Sequence, residues 1–530
     1  MKNKKLLLLL IILALAAFFR LWQLNAIPPG LYPDVAINGN DALNTLQTNN
    51  FKVFYPENNG REGLFMWLIA LSFSVFGVSI WSIKIVAAII GILTVLGLYL
   101  LTKELFKPVE ASPLLALWAS FFLATSFWHV LFSRLGFRAI MLPFILVFGF
   151  YFLWRGLNNK KALPFIMAGI FFGAGFYTYI SYRFIILLLP IVWFCWLITY
   201  KKEGQLKKFF LFSVLCLLFI VAVALPLGVY FIQHPQDFVG RAALISVFAS
   251  QNPLLELGKS LISHLGMFNI RGDANWRHNY ANAPELFWPI GILFLIGFIL
   301  SIKELIISFK SKNRSLFTAH CLLLSWFFLF LLPGILTAES VPHALRVIGV
   351  IPPVFIFAAL AADFLYQKIK KLLKIPEKGF YRLMVIAASF LLLLALVLAQ
   401  YLEYFDLWAN NPNVEDAYTK RFSDIGYILN SLPENTKKYV IVNESGGPVP
   451  WPDGLPMPSQ TPMFIERMKY GQIQSTYLKS DQLDKIKVLP SQNSVVIPLA
   501  FDEKIFNQLK SMYPWGNTVQ VSKEIWVFVF

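Results

Sequence analysis

The stretch SIKIVAAIIGILTVLGLYLL, Ser82–Leu101, decides the fold. It is almost wholly apolar and, at roughly 20 residues, long enough to cross the hydrocarbon layer of a bilayer. Leu6–Phe19 and Leu383–Ala399 are of the same kind. Runs this apolar and this frequent cannot all be core helices of one soluble domain. Backbone polar groups in lipid must be satisfied within the segment, so the runs are read as helices. Composition agrees: 57% of the 530 residues are hydrophobic, 16% aromatic and only 14% charged, with a mean hydropathy of +0.62. A soluble domain does not reach that balance, and the chain is a polytopic α-helical membrane protein.

Working outward from that stretch, a window reading gives about eleven spans, at 5–24, 80–101, 112–132, 138–156, 162–180, 184–200, 208–230, 285–303, 316–336, 346–366 and 382–402. The connections carrying Lys2/Lys4/Lys5, Lys103/Lys107, Arg155/Lys160/Lys161, Lys201/Lys202/Lys207/Lys208, Lys303/Lys310/Lys312/Arg314 and Lys368/Lys370/Lys371/Lys374/Lys378 all fall on one face. By the positive-inside rule that face is cytoplasmic, and so is the N-terminus. The net charge of +17 therefore records orientation and contact with anionic lipid headgroups, not nucleic-acid binding. Met-Lys-Asn-Lys-Lys at the start leads into a helix that is expected to be retained, because no small-residue cleavage site follows it. Cys195, Cys216 and Cys321 lie in apolar spans and suggest neither a disulfide framework nor a metal site.

Two domains are expected: a transmembrane domain over 1–402, with outer loops at about 25–79 and 231–284, and an extracytoplasmic α/β domain over 403–530. In the latter Pro, Asn, Asp and Lys become common. Short β-type runs occur at Tyr439–Val442, Ser494–Ile497 and Ile525–Phe530, and helical spacing at Asp416–Leu432 and Glu503–Met512. Within the first outer loop Leu64–Leu71 is apolar but too short to span, and is expected to lie along the interface.

The same loop carries acids: Asp34 and Asp41 after the first span, Glu57 and Glu62 before the interfacial helix. A carboxylate beside a membrane bundle is costly and implies a function. Asp34 follows Pro33, and Asn38, Gly39 and Asn40 favour a compact turn, which would hold Asp34 as a general base. Asp41 reads more simply as a turn or N-cap residue. Glu62 stands at the start of the interfacial helix, where an acid complements the helix dipole and Arg61 could pair with it. Cations face the same side: Arg134 and Arg138, then Arg183 in Tyr177-Thr178-Tyr179-Ile180-Ser181-Tyr182-Arg183, and Arg346 in Val341–Arg346. Arginine forks suit phosphate, so together they suggest a site for an anionic headgroup, although each alone would equally snorkel to lipid. His278 and His343 could bind a metal or a phosphate oxygen; with no second histidine at ligand spacing, each reads as an ordinary loop histidine.

The order of a first helix ending in Phe19-Arg20-Leu21, then Pro33-Asp34, Arg61-Glu62-Gly63-Leu64, Ser133-Arg134, Tyr177–Arg183 and Pro342–Arg346 resembles the GT-C membrane glycosyltransferases. More narrowly it is similar to the branch of protein O-mannosyltransferases and the lipid A aminoarabinose transferase, over residues 1 to about 410. The resemblance implies inverting transfer of a sugar from a polyprenyl-phosphate donor to a hydroxyl of protein, lipid or glycan, on the noncytoplasmic face of a cell membrane. It implies Asp34 and Glu62 as the catalytic acids. Asp41, Arg61, Arg134, Arg138, Tyr179, Arg183, His278, His343 and Arg346 are the candidate substrate-binding residues. Some members have an Asp-Glu pair where this chain has Asp34-Val35, and an acid where it has Arg138, so a divalent metal is left open as cofactor. A flippase for lipid-linked sugars, or a noncatalytic envelope assembly protein, are the alternatives.

Overall fold

The computed structural model describes all residues except 1, 108–111, 113, 203, 245, 373–378, 447–453 and 490–491; Lys374 and Lys378, used above for orientation, lie outside the described residues. The chain forms two compact units. One joins Met1–Leu24 to Ala87–Asn410, and the other joins Asn25–Val86 to Asn411–Phe530. A change of unit at Asn410 falls near the boundary expected at 402, but the first outer loop groups with the C-terminal region.

Among the described residues, eight helices are long and apolar enough to cross a membrane: Ile80–Leu105, Arg138–Asn159, Ile180–Lys201, Leu206–Gln233, Trp288–Lys310, Arg314–Ile335, Ile348–Leu372 and Leu383–Trp408. Each answers to one of the spans expected from sequence. The other three expected spans take different forms. Residues 5–24 fall on the helix Lys2–Leu21, which begins with lysines. The region 112–132 is two helices, Leu115–Thr125 and Phe127–Phe132. They part at Ser126, whose ψ of 121° leaves the helical region and whose side chain caps the second helix by accepting from the His129 N–H. The region 162–180 holds a helix only as far as Gly175. Leu206–Gln233 and Leu383–Trp408 are largely exposed along their lengths, as lipid-facing helices are. The cysteines are free thiols, with the Cys195 and Cys321 sulfurs 3.5 Å apart.

In the second unit the first-loop segment contributes the helix Pro33–Thr48, a hairpin of β1 (Phe54–Tyr55) and β2 (Arg61–Glu62), and the helix Leu64–Phe76. The C-terminal segment forms a five-stranded sheet in the order β4-β3-β5-β7-β6. β3 (Lys437–Val442) lies parallel to β4 (Thr476–Lys479) and β5 (Ser494–Pro498); β7 (Trp526–Val529) is antiparallel to β5 and to β6 (Asn517–Gln520). Helices Lys420–Ser431, Gln460–Tyr470 and Glu503–Met512 complete it. β3 and β5 read as near-continuous apolar runs because both faces are covered, one by a cluster around Ile425 and Met463, the other by one around Phe506 and Leu509.

The polar run Asn38-Gly39-Asn40 is not a turn. It lies inside the helix Pro33–Thr48, and all three residues are buried. Turn propensity is overridden because both asparagine side chains find partners in the folded unit. Asn38 accepts from Arg61, and Asn40 donates to the Gln460 carbonyl. Gly39 lets the helix approach Gln460–Tyr470 so closely that a Cβ there would stand 2.7 Å from both Phe464 and Ile83. Gly39→Val is therefore expected to destabilise this unit by about 1–3 kcal/mol through overpacking, seen as a lowered unfolding midpoint of the purified protein.

Candidate active site

The hairpin loop between β1 and β2 sets the geometry around Asp34. Asn58, Asn59 and Gly60 all have left-handed backbone, with φ of 53°, 60° and 86°. Asparagine and glycine are the residues that accept this conformation most readily. A Cβ on Gly60 would also strike the Phe54 ring at 2.6 Å. The tight return aims Asn58 at the start of the acid-bearing helix, where its side-chain amide donates to Asp34 Oδ1 at 2.9 Å. Asp34 itself is half-buried in the first helical turn, and Tyr32 holds the N-cap position. A carboxylate is favoured there by the orphan N–H groups of the helix end.

The same loop delivers Arg61 into the interior. Its guanidinium is fully buried and donates to the Glu57 carbonyl, to Asn38 Oδ1 at 2.9 Å and to Asp41 Oδ2 at 2.5 Å. Arg61 thus pairs with Asp41 and, at 3.9 Å, Glu57, where the sequence suggested Glu62. Asp41 is correspondingly not an N-cap but a mid-helix acid; burial raises its pKa and the Arg61 charge offsets part of that rise. Glu62 is buried on β2 opposite Phe54, two residues before Leu64, where the interfacial helix starts. That helix, Leu64–Phe76, is too short to span, as expected.

In the membrane unit the arginines take up distinct tasks. Arg134 is fully buried, donates to the carbonyls of Phe19 and Trp22 at 3.0 and 2.7 Å, and lies over Tyr404 and Phe405. It satisfies carbonyls left unpaired at the end of the first helix, which is a scaffold role. Arg20, which sequence reasoning passed over, works beside it, donating to the carbonyls of Ala16, Leu123 and Ala124. Arg183 donates to the Phe238 carbonyl and stacks on that ring at 4.2 Å. Arg138 sits over the buried Tyr179 ring at 5.5 Å.

Arg346 lines a cavity. A mostly apolar hollow of about 230 Å³ is lined by Arg346 together with Tyr179, Ser181, Phe184, Ser246 and Thr337, among others. Arg346 donates to Thr337 Oγ1 at 2.8 Å, to the Glu339 carbonyl at 2.7 Å and to the Glu339 carboxylate at 2.6 Å. The Glu339 side chain is 63% exposed, so the carboxylate is held on the guanidinium only by an exchangeable surface contact. A second, larger hollow of about 500 Å³ lies among Leu157, Phe165, Phe172, Trp193, Trp196 and Phe209, and its walls are almost wholly apolar.

His278 and His343 are not isolated loop histidines. They stack at 4.7 Å between ring centroids, and both face Asp273 Oδ2, at 3.1 Å from His278 Nδ1 and 3.7 Å from His343 Nδ1. This buried Asp-His-His group could hold a metal ion. Burial keeps His343 well below the usual imidazole range, with the charges of His278 and Arg346 adding to the effect. Glu285 receives the Asp273 N–H, and burial, then the Asp273 charge, push its carboxyl well above the ordinary range.

The fold is that of the GT-C membrane glycosyltransferases. The chain is similar to ArnT from Cupriavidus metallidurans, solved bound to undecaprenyl phosphate, with a TM-score of 0.55 and 14% identity over 99% of this chain and 97% of that one. It is also similar to the archaeal oligosaccharyltransferase AglB from Archaeoglobus fulgidus, solved with an inhibitory peptide and a dolichol phosphate: TM-score 0.51, 16% identity, 83% of this chain and 62% of that one. Residues 64–230 match the family described as dolichyl-phosphate-mannose-protein mannosyltransferase. No curated protein is similar enough in sequence to be matched. The protein is thus a multi-pass membrane protein with the fold of the GT-C glycosyltransferases, and its residues 64–230 are similar to a mannosyltransferase family.

Proposed function

We propose that the protein moves a sugar from a polyprenyl-phosphate-sugar donor to a hydroxyl of a protein, lipid or glycan acceptor, inverting the anomeric centre, at the noncytoplasmic face of a cell membrane. The observation that carries this reading is the match of residues 64–230 to a mannosyltransferase family, since it bears on chemistry where likeness of fold bears on shape alone. The lipid phosphates held by ArnT and AglB support the same class of carrier here.

Asp34 is the base. The acceptor oxygen attacks the anomeric carbon, its proton passes to the Asp34 carboxylate, and the bond from that carbon to the phosphate oxygen breaks with its electron pair left on the phosphate. Asn58 fixes one carboxylate oxygen and so orients the other. The Arg346 guanidinium, which holds the Glu339 carboxylate in this structure, has the donors suited to a lipid phosphate. Tyr179 lines the same hollow as Arg346 and carries Arg138 over its ring, and the large apolar hollow suits a prenyl chain. Glu62 serves the acceptor side. A divalent cation, where one is used, has Asp273, His278 and His343 as its candidate ligands. The lysine distribution supports a cytoplasmic N-terminus with the loops at 25–79 and 231–284, and the C-terminal region, outside.

Glu339→Gln removes the competing carboxylate and is expected to lower the donor KM by up to roughly fivefold, the most that an exposed ion pair of about 1 kcal/mol allows. The reading itself is tested with purified protein in lipid and labelled polyprenyl-phosphate-hexose. Consumption of donor with appearance of free polyprenyl phosphate is expected. Movement of intact donor between leaflets without consumption would replace it with transport.

A further inference from the structure

The loop that carries Arg346 also carries His343, and His343 faces Asp273 and His278, which take no part in the proton and phosphate steps proposed above. We propose that Asp273, His278 and His343 form a binding site for a zinc-class divalent cation, which ties the loop Gly272–Glu285 to the loop Thr337–Val347. The inference does not rest on the glycosyl-transfer reading.

Geometry is the first argument. A tetrahedral ion with bonds of about 2.0–2.1 Å has ligand atoms roughly 3.3–3.4 Å apart. The two measured edges from Asp273 Oδ2, 3.1 Å to His278 Nδ1 and 3.7 Å to His343 Nδ1, bracket that length. One ligand atom from each residue lies within 4.8 Å of the others. The second argument is an unmet group. His343 is 8% exposed, yet its Nδ1 has no hydrogen-bond partner. At 3.7 Å from the carboxylate oxygen it is too far for a hydrogen bond and well placed to share an ion with it.

The surroundings already orient the ligands, as metal sites require. Asp273 Oδ1 accepts from the Asn275 N–H, and Oδ2 from the Ala344 N–H, so the carboxylate is locked to both loops. His264 donates from Nδ1 to the Ser260 carbonyl and accepts the His343 N–H on Nε2, holding the backbone beside the third ligand. Two imidazoles and one carboxylate select a zinc-class ion over calcium or magnesium, which prefer oxygen alone. Three protein ligands leave a fourth position for water or an oxygen of another molecule. Arg346 stands three residues past His343 in the same loop, so the ion would fix the loop that presents the Arg346 guanidinium to the hollow.

The test uses the full chain in lipid nanodiscs, purified on a tag without histidine and without chelator. Elemental analysis is expected to find about one zinc per chain, with stripping by a chelator lowering the unfolding midpoint and added Zn²⁺, but not Mg²⁺, restoring it. His343→Ala should lose the metal. His343→Cys keeps a ligand and, loaded with Co²⁺, should show a thiolate-to-cobalt charge-transfer band, a signal a purely structural histidine cannot give. Folded wild type that takes up no zinc on titration, or a cobalt spectrum without that band in folded His343→Cys, would overturn the proposal and leave a hydrogen-bonded Asp-His network.

Discussion

Asp34→Asn is expected to lower sugar transfer by about 10²–10⁴-fold, the usual worth of a positioned general base, while the protein folds and binds donor as before. The substitution keeps size and shape, and the amide can still face Asn58, whose side chain donates to Oδ1 in the native arrangement. What it removes is the capacity to accept a proton. Turnover of labelled donor should therefore fall in kcat with little change in KM, the pattern of an interaction made in the transition state. Undiminished turnover by folded Asp34→Asn would take the base away from this residue and direct attention to Glu62.

An equally large loss is expected from a change far from Asp34 in sequence. Truncation after Asn410 should abolish transfer, although every acid assigned a role lies before it. The helix that carries Asp34 is buried along one side against the C-terminal segment: Ile37 meets Met457 and Gly39 meets Phe464, and just before the helix the Leu31 carbonyl accepts from the Thr461 hydroxyl. Arg467 binds this helix through four acceptors, the Asn40 carbonyl and side chain, Asn44 and Gln47, at 2.6–3.3 Å. Arg467→Ala gives a graded version of the experiment, with roughly 1.5–3 kcal/mol lost from the charged hydrogen bonds and the acceptors left buried. Transfer by the truncated protein at wild-type rate would refute this dependence.

These dependencies explain what could and could not be read in advance. The membrane class was legible because apolar runs such as Ser82–Leu101 need no partner to be interpreted. The strands at Tyr439–Val442 and Ser494–Ile497 were legible for a similar reason: central strands are dense in β-branched residues whatever covers them. β6, Asn517–Gln520, is exposed at all four positions and short, and it gave no apolar signal. Asn38-Gly39-Asn40 misled because its partners Gln460 and Phe464 lie more than 400 residues away, so local propensity pointed to a turn that tertiary packing replaces. The arginines were identified as a class, but their separate duties were not visible. Whether a guanidinium meets backbone carbonyls, as Arg134 does, or a cavity, as Arg346 does, depends on chain crossings. His278 and His343 were each found and each taken as solitary, since Asp273 joins them only in three dimensions.

The grouping of Asn25–Val86 with Asn411–Phe530 has a practical consequence for anyone wishing to re-engineer the protein. A hybrid that borrows only its last 120 or so residues from a related chain would set a foreign surface against the native Gly39 and Asn40, and the graft should fail however well each parent folds. The transplantable module is discontinuous: two distant stretches of gene have to travel together, and drift in one is tolerated only when the other drifts to match.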